Sequence, residues 1–379
     1  MAGSYLSGLY RIAGTDQKER IPRSYSTQMQ VMINTLNDIR TSDKQISGTH
    51  GIGVLMANSL MFQRFPDHNG YDDPQFSSFY GQTLPLLKRG IPVELVHMEN
   101  TPFKDTFNGL QVLVMSYSNM KPMKSEYHNY LADWVKKGGT LVYCGEDVDP
   151  YQTVLEWWNT EGNAYKAPSE HLFEAMGLSR NPGDGTYRFG KGTVIVMRED
   201  PKHFVLKGGN DRKYFETIVS AYESKTGKKI EIKNNFMVER GPYTIAAVMD
   251  ESSSKEPLKL SGLYIDLFDK DLPVLTVKQI NPGEQGYLYD LNKVSGKVKA
   301  KVLCGASRIY DEKVGKQSYS FVAKSPLHTT NVSRVLLPRK PGKVLVNGKA
   351  EQPEWNESSK TLLLSFENDP AGVNVSIEW

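Results

Sequence analysis

The hydrophobic period of this chain changes once, near Lys228, and that change limits the fold more than any single motif. From Gly51 onward, short continuous apolar runs alternate with helical stretches. "GIGVLMAN" is followed by "FSSFYGQTLPLLKRG" and "IPVELVHMEN", then by "LQVLVMSYSN", "KSEYHNYLADWVKKGG" and "TLVYCGED". Strand-length apolar runs without alternation are what parallel strands look like when helices cover both faces of the sheet. Gly90 and the Gly138–Gly139 pair stand where helices need a left-handed stop. "SEHLFEAMGL", "YRFGKGTVIVMRED" and "DRKYFETIVSAYESKTG" add a helix, a turn with a strand, and a last helix. The fold class read from this is a doubly wound parallel α/β sheet, followed by all-β structure.

After Lys228 the helical period is lost. Segments such as "KIEIKNNFMVERGPYTIAAVMDES" and "LPVLTVKQINPGEQGYLYDL" are short, β-rich and divided by Pro, Gly, Asn and Asp, as in an antiparallel sandwich or meander. "KVLVNGKAE" places an Asn347-Gly348 turn between two strands. Ahead of the α/β part, Met29, Met32, Ile33 and Leu36 recur at helical spacing behind Ser26 or Thr27 as N-cap, which predicts a helix over residues 26–40 that packs on the next part of the chain. The expected domains are a lead-in segment with a helix (1–45), an α/β domain (46–228), a β-sandwich (229–325) and a C-terminal β-hairpin or sandwich element (326–379).

Composition narrows the partners. A chain of 379 residues exceeds what one core usually serves. Its 46 Lys and Arg stand against 43 Asp and Glu without a long basic run, which argues against nucleic acid. No apolar run reaches the roughly 18 residues of a membrane span, and the N-terminus lacks the basic start and apolar stretch of a signal peptide. Cys144 and Cys304 are too far apart in sequence to suggest a disulfide framework.

The segment from Gly51 to Asp200 resembles the class I glutamine amidotransferase-like fold, which is flavodoxin-like, and in particular the degenerate form found as an accessory, trimerisation-type domain of β-galactosidases and related glycoside hydrolases. The residues that carry the resemblance are "FYGQTLPLLKRGIPVELV", "LQVLVMSYSNMKPMKSEYHNYLADWVKKGGTLVYCGED" and "GKGTVIVMRED". "GPYTIAAVMDES", "SGLYIDLFDKDLPVL", "PGEQGYLYDL" and the "KVLVNGK" hairpin look like β-domains that trail the catalytic barrels of polysaccharide-degrading enzymes. Both resemblances imply the C-terminal, non-barrel region of a bacterial glycoside hydrolase. Its partners would be a catalytic barrel ahead of Met1, a glycan, or further copies of itself, in a periplasmic or extracellular setting. The implied subunit interface makes Tyr80, Tyr130 and Trp134 candidate interfacial rings. No cofactor and no metal is implied.

Cys144 stands where active members of the amidotransferase family carry their nucleophile, and a thiolate there needs an imidazole neighbour. The strand that should bring His, Pro and Glu reads Arg198, Glu199, Asp200 and Pro201 instead. Cys144 is therefore read as a small core residue. The alternative is a free-standing cysteine hydrolase or amidase using Cys144, with His50, His97, His171 or His203 as donor; His68 and His128 are expected to lie away from the strand ends.

Asn58, Ser59, Tyr117, Ser118, Glu146 and Asp147 end successive strands at the edge where open α/β sheets bind ligands, and are the ligand-pocket candidates. With Asp149, the two acidic residues would suit a hydroxylated ligand or calcium, or simply cap the next helix. Asp72, Asp73 and nearby His68 match no metal-ligand spacing. Trp157 and Trp158 would serve either a sugar face or the core. Gly190 to Gly192, "GKG", joins two strands and opens no helix that could cradle phosphate.

Overall fold

The computed structural model describes residues 9–11, 18–20, 23–39, 44–62, 74, 76–206, 210–294 and 299–379. They form two compact units: Ser47–Asn234 with Glu251–Ser254, and the remainder of the chain. The Asp72, Asp73 and His68 loop lies outside the described residues.

The first unit is built on six strands: β1 (Ile52–Met56), β2 (Glu94–His97), β3 (Val112–Met115), β4 (Thr140–Cys144), β5 (Gly185–Phe189) and β6 (Gly192–Met197). Their order is β2-β1-β3-β4-β6-β5. The first five in that order run parallel, and β5 closes the edge antiparallel to β6 through the Gly190–Gly192 turn. Parallel neighbours need crossovers, and the intervening helices supply them. Counting α1 (Arg23–Ile39) as the first helix of the chain, these are α2 (Ser77–Leu87), α3 (Glu126–Lys136) and α4 (Pro168–Ala175), while α5 (Arg212–Thr226) follows β6 and packs back on the sheet.

Alternate residues of each strand serve opposite cores. Leu113, Met115, Leu141, Tyr143, Val194 and Val196 meet Leu131 and Val135 of α3 and Leu172 and Phe173 of α4. Val112, Val114, Val142, Cys144 and Met197 meet Leu86 of α2 and Tyr214, Ile218 and Ala221 of α5. Close approach fixes two glycines: a Cβ at Gly81 would sit 1.8 Å from the Pro201 carbonyl oxygen, and one at Gly192 1.9 Å from that of Val135.

Among the described residues every strand pair of the second unit is antiparallel. Six strands, including Lys44–Ile46, make one sheet, while sheets of four and five strands face each other across a single core of Val335, Leu362, Tyr319, Phe321, Val375 and Ile377. Asn347 and Gly348 both take positive φ, 47° and 79°, in the hairpin turn expected of them. Helix α1 departs from expectation in two ways. Ser26 and Thr27 lie inside it, and its buried stripe is Thr27, Val31, Thr35 and Ile39, leaving Leu36 exposed. It packs on strands that come more than 200 residues later, beside Tyr243, Leu303 and Val332, with the Thr27 hydroxyl donating to the Thr330 carbonyl over 2.9 Å. A helical period shows that a face will be buried, and says nothing of which distant sheet buries it. No helix among the described residues is long and apolar enough to cross a membrane.

Candidate functional site

The carboxyl ends of β1, β3, β4 and β6 bring the candidate residues to one edge, where the polar groups are bonded to one another. Gly145, in the left-handed region at φ 148°, directly follows β4. Its N–H donates to the Met197 carbonyl over 3.0 Å, continuing the pairing with β6. The next N–H, of Glu146, donates to Asp200 Oδ1 over 3.0 Å, and the Ser118 hydroxyl donates to the same oxygen over 2.5 Å. Both backbone donors that follow Cys144 are thereby occupied. The Glu146 side chain itself is exposed.

Asp147 turns inward. Its carboxylate accepts from the hydroxyls of Tyr143 and Ser169, the latter at 2.7 Å, and pairs with Arg198 at 2.7 Å. Burial outweighs these donors, so the Asp147 carboxyl is raised above its ordinary range. The Arg198 guanidinium lies over the Phe173 ring at 5.2 Å and donates through Nε to the Pro182 carbonyl at 2.9 Å.

Lys121 Nζ is held by Asp149 at 3.0 Å and by the Tyr117 carbonyl at 2.5 Å, and burial lowers its ammonium despite Asp149. Asp149 also accepts from Gln152 Nε2 at 2.8 Å and from the Tyr151 N–H at 3.1 Å, capping the short turn after β4. Asn58 is exposed and its N–H donates to Glu99 at 2.9 Å, while the Ser59 hydroxyl donates to the Lys121 carbonyl at 2.6 Å.

Tyr117 is fully buried and not at a rim. Its hydroxyl bonds His128 Nε2 at 2.6 Å, and His128 Nδ1 faces His171 Nδ1 at 2.8 Å. The expectation that His128 lies away from the strand ends is therefore corrected: α3 carries its ring back to the end of β3. Burial lowers both imidazoles, and for His128 the His171 ring adds to this. Trp158 is buried and Trp157 half-buried against it; each indole N–H donates to a backbone carbonyl, of Gln152 at 3.0 Å and Pro122 at 2.9 Å.

Cys144 has no exposed surface and packs in the α2/α5 core, whereas the His128–His171 pair lies with the α3/α4 core across the sheet. Burial, with smaller help from Glu199 and Asp184, pushes the thiol up. His50 precedes β1 at the opposite end of the sheet, and His203 is exposed after β6. His97 ends β2, the edge strand separated from β4 by β1 and β3. Tyr80 and Tyr130 are exposed, and Trp134 stacks on Phe107 at 5.4 Å between ring centres. Sequence reasoning missed the partners Lys121 and Ser169, and it noted Arg198, the residue after β6, only as standing where a family histidine, proline and glutamate are lacking. Among the described residues no three His, Cys, Asp or Glu side chains converge as metal ligands.

No family profile matches the chain, and no curated protein does. The solved structures that it matches include glycoside hydrolases. A β-galactosidase from Bacillus circulans sp. alkalophilus aligns at 10% identity and a TM-score of 0.42, over 69% of this chain and 43% of that one. A polyextremophilic β-galactosidase from the Antarctic haloarchaeon Halorubrum lacusprofundi aligns at 14% identity and 0.35, over 64% and 40%. α-L-Fucosidase isoenzyme 2 from Paenibacillus thiaminolyticus aligns at 10% identity and 0.31, over 88% and 49%. The chain spans less than half of each of these structures, and no activity passes to it by likeness at such scores.

Proposed function

We propose that the chain is a non-catalytic accessory region of a carbohydrate-active enzyme, supporting oligomerisation, packing of a catalytic barrel, or glycan contact. In this reading residues 46–228 are a flavodoxin-like, doubly wound domain of the amidotransferase-like type, followed by β-sandwich structure over 229–325 and a C-terminal element over 326–379. The strand order β2-β1-β3-β4-β6 supports it, being the 2-1-3-4-5 order of flavodoxin-like sheets. The link to carbohydrate rests on the sequence resemblance.

One observation carries the non-catalytic reading. The N–H groups of Gly145 and Glu146, which an acyl-transfer site behind Cys144 would need as oxyanion donors, are bonded to Met197 and Asp200. A buried thiol whose neighbouring donors are spent has neither the thiolate nor the anion stabilisation that such chemistry requires. The test is to assay the purified chain on glutamine, simple amides and aryl glycosides while screening plant and host glycans by calorimetry. The expected result is no turnover. Turnover abolished by Cys144→Ala would establish the cysteine hydrolase instead, and a flat glycan screen would leave only the scaffold role.

A further inference from the structure

Positive charge gathers on the outer rim of the α/β unit. Helix α5 packs over β3 and β4. The outer strands β6 and β5 place Val194, Val196, Tyr187 and Phe189 with the α3/α4 core, so their alternate residues, Thr193, Ile195, Thr186 and Arg188, face the α5 side. Beside α5 this leaves a groove of 380 Å³ whose lining includes Thr140, Thr193, Ser220 and Ser224.

Arg188, Lys191 and Lys225 rim the groove, and among the described residues no acidic one lines it. Among the described residues none of the three forms an ion pair with a carboxylate. Arg188 Nη1 donates to Thr193 Oγ1 at 3.3 Å, which ties the guanidinium to the floor. Lys225 Nζ and Lys191 Cβ come within 3.3 and 3.9 Å of the point where Gly138 would carry a Cβ, so the β5–β6 turn and the end of α5 converge over a residue without a side chain. The three cations belong to separate elements, and only the fold collects them.

We infer that this groove binds a tetrahedral oxyanion carried by a small molecule as a sulfate or phosphate ester. A guanidinium fork, two ammonium groups and several hydroxyls reach the groove from β5, the β5–β6 turn, β6 and α5, a donor set that suits a group with three terminal oxygens better than a planar carboxylate. The volume lies at the small end of ligand sites and fits an ester the size of a monosaccharide. The site is independent of the accessory role proposed above, because its ligand is recognised by charge and not by a neutral sugar.

The test is calorimetric titration of the whole chain at low ionic strength with inorganic sulfate, inorganic phosphate, galactose 6-sulfate and galactose 6-phosphate, against sodium chloride of equal ionic strength. The expected result is saturable one-site binding of at least one oxyanion that chloride does not reproduce. Arg188→Gln and Lys225→Gln should each weaken it about ten-fold, the scale of one charge-assisted hydrogen bond, while Lys104→Gln, exposed between β2 and β3 and outside the groove lining, leaves it unchanged. All three side chains are exposed, so circular dichroism should report native folding. Preference between the two esters identifies the source of the oxyanion. Absence of saturable binding to all four probes, or binding unaltered in the Arg188→Gln/Lys225→Gln double variant, overturns the proposal.

Discussion

Replacing Arg198 by Met should destabilise the α/β unit by about 3 kcal/mol, the lower end of what breaking a buried ion pair costs. The lower end applies because the Arg198 side chain keeps 18% of its surface exposed, against 9% for Asp147. The substitution leaves Asp147 with only the Tyr143 and Ser169 hydroxyls and removes the donor to the Pro182 carbonyl. Urea unfolding followed by tryptophan fluorescence, with hydrogen exchange to localise the loss to β4 and β6, measures it. Adding Asp147→Asn should recover about 2 kcal/mol, since a neutral amide no longer needs the guanidinium. The pH dependence has a fixed sign. Burial raises the folded Asp147 value above the unfolded one, so stability from this group is present at low pH and is lost as pH rises through the folded value. The Arg198→Met penalty relative to wild type should therefore shrink on acidification. A loss below about 0.5 kcal/mol, or strictly additive single changes, would refute the view that buried Asp147 depends on Arg198 as its counter-charge.

Two glycines and the histidine pair give further outcomes. Gly81→Ala should cost about 1–3 kcal/mol by overpacking against the Pro201 carbonyl, although Gly to Ala inside a helix ordinarily stabilises; urea midpoints give the sign. Gly348→Ala, which meets no neighbouring atom, should cost about 1 kcal/mol through its positive φ alone, read from the unfolding of the second unit. Because burial depresses the folded His128 and His171 values, their contribution is present above the unfolded value near 6.5 and is lost as pH falls through the folded ones. Urea midpoints should thus fall as pH drops through and below about 6.5, and His128→Gln should flatten that slope.

The alternation of apolar runs with glycine-closed helices was legible because both signals are local: Gly90, Gly138 and the Asn347-Gly348 turn all take the positive φ their positions suggested. The edge of the sheet was legible only as a location. Ser118 and Asp200 are 82 residues apart, and Arg198 and Asp147 51 apart, so which polar group satisfies which is decided by strand order and not by spacing. Tyr117 shows the same limit, since a tyrosine at a strand end reads as rim until α3 brings His128 over it. The cationic groove was invisible for the same reason, its three charges coming from β5, the β5–β6 turn and α5.

The most direct test of a closed strand end is the reactivity of Cys144. Native protein would be treated with iodoacetamide at neutral pH, and each cysteine followed by peptide mass spectrometry, with buried Cys304 as internal control. With the Cys144 thiol pushed up by burial, alkylation should be no faster than at Cys304, both sites reacting fully only once urea unfolds the chain. Alkylation of Cys144 in the folded protein faster than an unactivated thiol would contradict the closed strand end and return the residue to the role of nucleophile.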